Sequence, residues 1–231
     1  MDAPSDTTDN FITVKTTLPV RPLPRNVDRL PIITERLILR ALTQDDLEEV
    51  WQLRSQPEPM EWTAAGRPDE DKAKSQTRLD AFLPPNDAKT FNWAICLKET
   101  GSLVGIGGVH YLAGENGWPE VGYMFRYEHW GKGFATEFLR AFVEAWDQLP
   151  REHVELRVKP YSLADGEGGD GDEVDEMLIA VTIGPNQRSH NVLTKCGFER
   201  YKIHSEPDLR DPTVDIELIL FRHRPGRALK N

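Results

Sequence analysis

The segment Glu120-Val-Gly-Tyr-Met-Phe-Arg-Tyr-Glu-His-Trp-Gly-Lys-Gly-Phe-Ala-Thr-Glu137 constrains this chain more than any other stretch. A short strand, a glycine-bearing turn and the start of a long helix follow one another directly. Gly131 and Gly133 let the backbone approach a ligand closely and take torsions that other residues resist. The first N–H groups of a helix have no intrahelical partner and point at whatever lies in front of them, so this order makes an anion site that suits a diphosphate. The same glycines also serve a purely steric turn. Spacing narrows the nucleotide classes: no G-x-x-x-x-G-K-[ST] is present, and after Gly131-Lys-Gly133 the residue Thr136 stands where the dinucleotide fingerprint needs a third small residue.

Around this segment the chain alternates between strand-like and helix-like stretches. Phe134, Phe138, Leu139, Phe142, Val143 and Trp146 share one broad face of a helix over 134–149 and read as core. Strands are expected at 36–40, 91–97, 103–111, 120–125, 153–158, 177–183, 199–204 and 214–221, with the second and third joined as a hairpin. Thr43 with Asp46 gives a capping-box signal for a helix to about residue 54; further helices are expected over 69–82 and, closed by Gly197, over 186–195. Residues 1–30 read as a flexible or extended arm, 31–224 as one α/β domain and 225–231 as a tail. An acidic, glycine-rich surface loop interrupts the domain at 164–176. No internal repeat occurs.

The 231 residues are 39% apolar and 29% charged, with 28 basic against 38 acidic side chains and a formal charge of −10. Such a chain buries a core without metal or disulfide support. Seven acids, Asp165, Glu167, Asp170, Asp172, Glu173, Asp175 and Glu176, lie in the acidic loop; without them the charge of −10 becomes −3. The rest of the surface is near neutral and offers no basic footprint for nucleic acid; a basic substrate is the better electrostatic match. No run approaches the roughly 18 to 20 apolar residues of a membrane span, and the opening residues lack a signal-peptide pattern, which suggests a cytoplasmic protein. Cys96 and Cys196 sit in apolar segments without C-x-x-C spacing and read as buried thiols. The six histidines form no H-E-x-x-H, the acidic loop lacks the glycine of a calcium loop, and no serine stands in a G-x-S-x-G elbow, so no metal site or serine nucleophile is expected.

Trp130-Gly-Lys-Gly-Phe-Ala135 resembles the Q/R-x-x-G-x-G/A signature of the GNAT N-acetyltransferases, with Trp130 in place of Gln or Arg. Upstream, Thr34-Glu-Arg-Leu-Ile-Leu-Arg40 looks like the opening strand of the branch that acetylates ribosomal-protein N-termini. Downstream, Asn186-Gln-Arg-Ser-His-Asn-Val-Leu-Thr-Lys-Cys-Gly-Phe198 looks like its N-x-x-S…K-x-G-F helix. The resemblance covers roughly 32–222. It implies a mixed, mostly antiparallel sheet flanked by helices and splayed between its fourth and fifth strands, 120–125 and 177–183. The pantetheine arm of acetyl-CoA would lie in the gap, pairing with the backbone of Tyr123, Met124 and Phe125. The amides of Gly131, Lys132, Gly133, Phe134, Ala135 and Thr136 would hold the diphosphate, with Asn186 and Ser189 touching the arm.

The resemblance also implies a reaction: direct acetyl transfer to a primary amine, either a protein N-terminus or a small amine, by a monomer or homodimer. The amine must lose its proton before it attacks. Glu120, at the start of its strand, is the candidate base, or else an attractor of the cationic amine. A backbone N–H near Met124 or Phe125, where the strand bulges, would meet the developing oxyanion. The tyrosine that many GNAT enzymes use to protonate the leaving thiolate is replaced by Leu193; Ser189 is the branch's substitute. Ser189 and Asn186 also read as ordinary helix-capping residues. Trp62 reads either as a wall of the acceptor pocket or as core. The rival reading is a catalytically degenerate acyl-CoA-binding sensor or scaffold.

Overall fold

The computed structural model describes residues 11–163, 166, 168–208 and 210–225. Its elements, in chain order, begin with β1 (Ile12–Pro19), β2 (Ile32–Ile33), β3 (Leu37–Arg40), α1 (Leu47–Arg54), α2 (Pro57–Met60) and α3 (Lys72–Asp80). Next come β4 (Phe91–Leu97), β5 (Leu103–Tyr111), β6 (Glu120–Phe125), α4 (Phe134–Asp147) and β7 (Arg151–Val158). The last are β8 (Leu178–Ile183), α5 (Gln187–Lys195), β9 (Glu199–Asp208) and β10 (Asp211–His223). Eight strands form a mixed sheet in the order β2-β3-β4-β5-β6-β8-β10-β9, in which only β6 and β8 run parallel. The expected GNAT fold is therefore present, as is the β4–β5 hairpin. The late strands are longer than their apolar runs, because cross-strand pairing carries β9 and β10 on through polar residues.

Strand alternation divides the core between two faces. Phe91, Trp93 and Ile95 of β4 meet Phe138, Phe142 and Trp146 of α4, while Ala94 and Cys96 meet Val50, Leu53 and Leu79 on the α1 and α3 side. Those three aromatics of α4 are fully buried, and each contributes about 1.5–3 kcal/mol by leaving water. This packing fixes the start of α4 against the end of β6. Arg54 and Asp69 form a buried ion pair (Nε to Oδ2, 2.6 Å), braced by Ser75, that ties α1 to the loop before α3. Both cysteines are free and buried.

One expectation needs correction. Residues 11–30 are not a loose arm: β1 pairs antiparallel with β7 along its whole length, and Val14 and Leu18 are buried. The buried Arg29 guanidinium then donates to the carbonyls of Pro24, Asp87 and Asn92; burial lowers its pKa to about 10. Val14, Thr16 and Leu18 alternate as the buried face of β1, but the surrounding Thr, Asp and Pro residues mask that alternation in the sequence. The acidic segment is a surface loop, as expected, and it is tied to β1. The N–H groups of Lys15 and Val174 bond to Asp172 and Lys15 carbonyls, Gly171 N–H bonds to the Thr13 carbonyl, and Thr13 N–H donates to Asp170 Oδ1 at 2.8 Å. Edge groups of β1 that would otherwise need water find these partners. Residues 1–10, Asp165, Glu167 and 226–231 lie outside the described residues.

Candidate active site

β6 and β8 meet at one point, where Glu120 is in register with Ile179 and the Ile179 N–H donates to the Pro119 carbonyl at 2.9 Å. Beyond it the strands part around a cleft of about 1410 Å³. On the other edge of β6, Arg126 N–H donates to the Val104 carbonyl at 2.9 Å. Antiparallel alternation from that pair turns the N–H groups of Met124 and Gly122 toward β5, and the backbone groups of Tyr123 and Phe125 toward the split. There the Phe125 carbonyl accepts Trp130 Nε1–H at 2.8 Å, and the Tyr123 backbone and Phe125 N–H face the cleft. The bulge expected from sequence near Met124 or Phe125 is absent: β6 keeps regular register with β5 there. The register shift falls between Val109 and Tyr111 of β5, opposite Val121 and Glu120, with His110 as the extra residue.

Side-chain alternation along β6 separates two kinds of chemistry. Tyr123 and Phe125 lie on the α4 face, edge-on to Phe138 with ring centroids 6.2 Å away in both cases. Met124 lies on the opposite face, against the α1 and α3 layer. Glu120 shares that second face by its even spacing, with Oε1 3.8 Å from His110 Nε2. A Cβ at Gly122 would stand 2.5 Å from His110 Cε1, so only glycine there leaves the imidazole beside Glu120.

At the other end of the cleft, Gly131 and Gly133 take φ of +73° and +82°, and Gly133 is the N-cap of α4 without a side-chain cap. The left-handed backbone at Gly133 disfavours any Cβ. The turn is braced from outside. Arg36 Nη1 donates to the Lys132 carbonyl at 2.9 Å, its Nε donates to Glu137 at 2.7 Å, and Glu137 also accepts from Thr34 Oγ1 at 2.6 Å. Burial opposes ionisation of Glu137, but the bonds from Thr34 and Arg36 outweigh it and hold the carboxyl below the ordinary range. Gly131, Gly133, Phe134, Ala135 and Thr136 line the cleft; Lys132 is exposed and does not. Arg188 does, its Cζ 5.1 Å from the centre of the Trp130 ring. Sequence reading missed it, since N-x-x-S leaves position 188 undefined.

Asn186 is the N-cap of α5, its Oδ1 accepting Ser189 N–H at 3.1 Å. Ser189 is thus not the cap, and its Oγ lies 2.9 Å from the Tyr123 phenol. Leu193 is buried core. Trp62, Glu115, Tyr161, His204 and Glu206 line the same cleft as Glu120. Tyr161 and His204 stack at 5.0 Å, and His204 Nε2 is 3.6 Å from Glu206 Oε2. Burial, with the charge of Glu115 added, pushes the Glu206 carboxyl above its ordinary range despite His204.

A sheet split beside an uncapped helix start, with open strand backbone in the split and a carboxylate at its apex, suits a ligand that carries a diphosphate and an amide-bearing arm, as a coenzyme A thioester does. Residues 36–199 match the model of the acetyltransferase (GNAT) domain, and the chain belongs to that family of acetyl-CoA-dependent acyltransferases. It is similar to the N-acetyltransferase p20 of Bacillus licheniformis, itself uncharacterised, at 28% identity over 131 residues, 56% of this chain and 73% of that one. Its fold is similar to that of a GNAT-family acetyltransferase from Bacillus anthracis (TM-score 0.63, 20% identity, 86% of this chain and 100% of that one). It is also similar in fold to a spermidine N-acetyltransferase from Vibrio cholerae solved with CoA and spermine (TM-score 0.61, 14% identity, 85% and 100% coverage). Among the described residues no helix is long and apolar enough to cross a membrane, and no group of three His, Cys, Asp or Glu side chains is placed to hold a metal.

Proposed function

We propose that this chain transfers an acetyl group from acetyl-CoA directly to a primary amine, a protein N-terminus or a small amine, with Glu120 and Ser189 on either side of the thioester. The observation that carries this reading is the open backbone of Tyr123 and Phe125 in a cleft that runs from the α4 N-terminus to Glu120. In this reading acetyl-CoA supplies the activated acyl group. The amides of residues 131–136 bind its diphosphate, the Arg188 guanidinium adds charge, and the strand backbone pairs with the amide groups of the pantetheine arm. Asn186 holds the α5 start against that arm.

Glu120 takes a proton from the incoming ammonium, directly or through one water, and so frees the lone pair that attacks; a positioned base of this kind contributes about 10²–10⁴-fold. The Phe125 N–H faces the developing oxyanion. Ser189 Oγ–H faces the departing sulfur. Glu115, Glu120 and Glu206 add negative charge to the cleft, which favours a cationic acceptor over a neutral or acidic one. The test is release of CoA thiol from acetyl-CoA by the purified chain against a panel of N-terminal peptides, diamines and polyamines. Turnover with at least one cationic amine is expected. Tight acetyl-CoA binding without thiol release for any member of the panel would leave a binding module instead.

A further inference from the structure

We propose that Tyr123 is a positioning residue for the leaving group: its phenol donates to Ser189 Oγ and so commits the serine's own O–H to the cleft. This rests on the acetyl-transfer reading of the site. Three observations carry it. The two hydroxyls are 2.9 Å apart, whereas the alternative acceptor for the phenol, the Ser189 carbonyl, is at 3.5 Å. The serine's backbone N–H is already used by Asn186, so α5 holds that side chain at one place. The phenol ring is fixed edge-on between Phe125 and Phe138. An aryl hydroxyl is the better donor and an alkyl hydroxyl the better acceptor, because the ring delocalises the phenol's lone pair. With Tyr123 as donor, the remaining Ser189 proton has the cleft to point into, which both residues line.

The phenol acts as a donor and not as the proton source. Its ordinary pKa is already above the roughly 8.5 of a free thiol, and burial pushes it higher, against the opposing bond to Ser189. Transfer of its proton to a thiolate is uphill. The bookkeeping closes without it: the C–N bond forms, the C–S bond breaks, and the electron pair stays on sulfur in the hydrogen bond from Ser189. Of the two protons the ammonium sheds, one ends on sulfur and one in solvent. The helix position at which other members of the family carry a tyrosine holds Leu193, and a tyrosine from the neighbouring strand reaches the serine instead.

The experiment is a double-mutant cycle of Tyr123→Phe and Ser189→Ala, read as the single-turnover rate of thiol release, with acetyl-CoA affinity and Tm measured in parallel. Tyr123→Phe keeps the ring in its aromatic cluster. It is expected to slow release about tenfold while acetyl-CoA affinity stays within about twofold, and the double variant is expected to be no slower than Ser189→Ala alone. A wild-type rate for Tyr123→Phe, or losses that multiply in the double variant, would overturn the proposal while leaving the role of Ser189 standing. A wild-type rate for Ser189→Ala would remove both. A purely structural Tyr123 would lower Tm and slow the Ser189→Ala background by the same factor, which the cycle separates from positioning.

Discussion

At the α4 end of the cleft, one unbroken stretch from Trp130 to Thr136 supplies the turn, the open amides and the start of α4. Around Glu120, by contrast, His110, Glu115 and Glu120 share the stretch from the end of β5 to the start of β6, while Trp62, Tyr161 and Glu206 come from three further stretches joined to it only by folding. In the proposed reading one end binds with backbone and the other with side chains. Backbone recognition needs glycine at set positions and tolerates any chemistry around them, so it leaves a motif. Side-chain recognition depends on what long-range packing brings together and leaves none. The two ends should therefore respond to different substitutions, one through cofactor affinity and the other through turnover.

The largest separation is expected from Glu120→Gln, an isosteric change at the acceptor end. It should lower the rate of thiol release about 100-fold or more while acetyl-CoA affinity, measured by calorimetry, stays within about twofold. The mirror experiment is Gly133→Val. Left-handed backbone costs an L-residue about 1–2 kcal/mol, and the added Cβ would sit about 3.4 Å from Arg36 Nη2, so acetyl-CoA should bind about tenfold more weakly. Arg188→Ala sharpens the same end by removing a charge together with its contact on Trp130: about fivefold weaker acetyl-CoA binding at low salt, the charge-dependent part of which disappears as salt is raised. The smallest effect concerns neither end. The buried Glu176 carboxyl, next to Arg151 (Nε to Oε2, 2.8 Å), is pushed above its ordinary range by burial, which outweighs the attraction of Arg151. The folded state then holds this proton more tightly than the unfolded chain. Stability should fall as pH rises from the ordinary carboxylate value to the raised one, and Glu176→Gln should remove that slope, a shift within about 3 °C in Tm. Its thiol-release rate should be unchanged.

The same division explains what the sequence disclosed. The strands and helices that carry strong periodicity, β4 to β6, α4 and α5, were legible with nearly their observed bounds, whereas the split beside Glu120 followed only from the family resemblance. Asn186 and Ser189 were legible as neighbours in the first turn of α5, but their division of labour was not, since either residue suits a cap. The Tyr123 partner of Ser189 was out of reach, because contact between a strand and a helix 66 positions apart has no local signature. β1 was missed for a related reason: its short alternation, Ile12 to Leu18, sits among Thr, Asp and Pro residues, and its partners β7 and the acidic segment lie far along the chain. The bulge was placed on the wrong strand because a register shift shows only once both strands are paired.

A crystal structure of the chain with coenzyme A bears most directly on the cleft as the cofactor site. The diphosphate should lie against the amides of residues 131–136, the pantetheine arm along Tyr123 and Phe125, and the sulfur between Ser189 Oγ and the Glu120 end of β6. Coenzyme A bound elsewhere, or bound here with its sulfur directed away from both residues, would contradict the account.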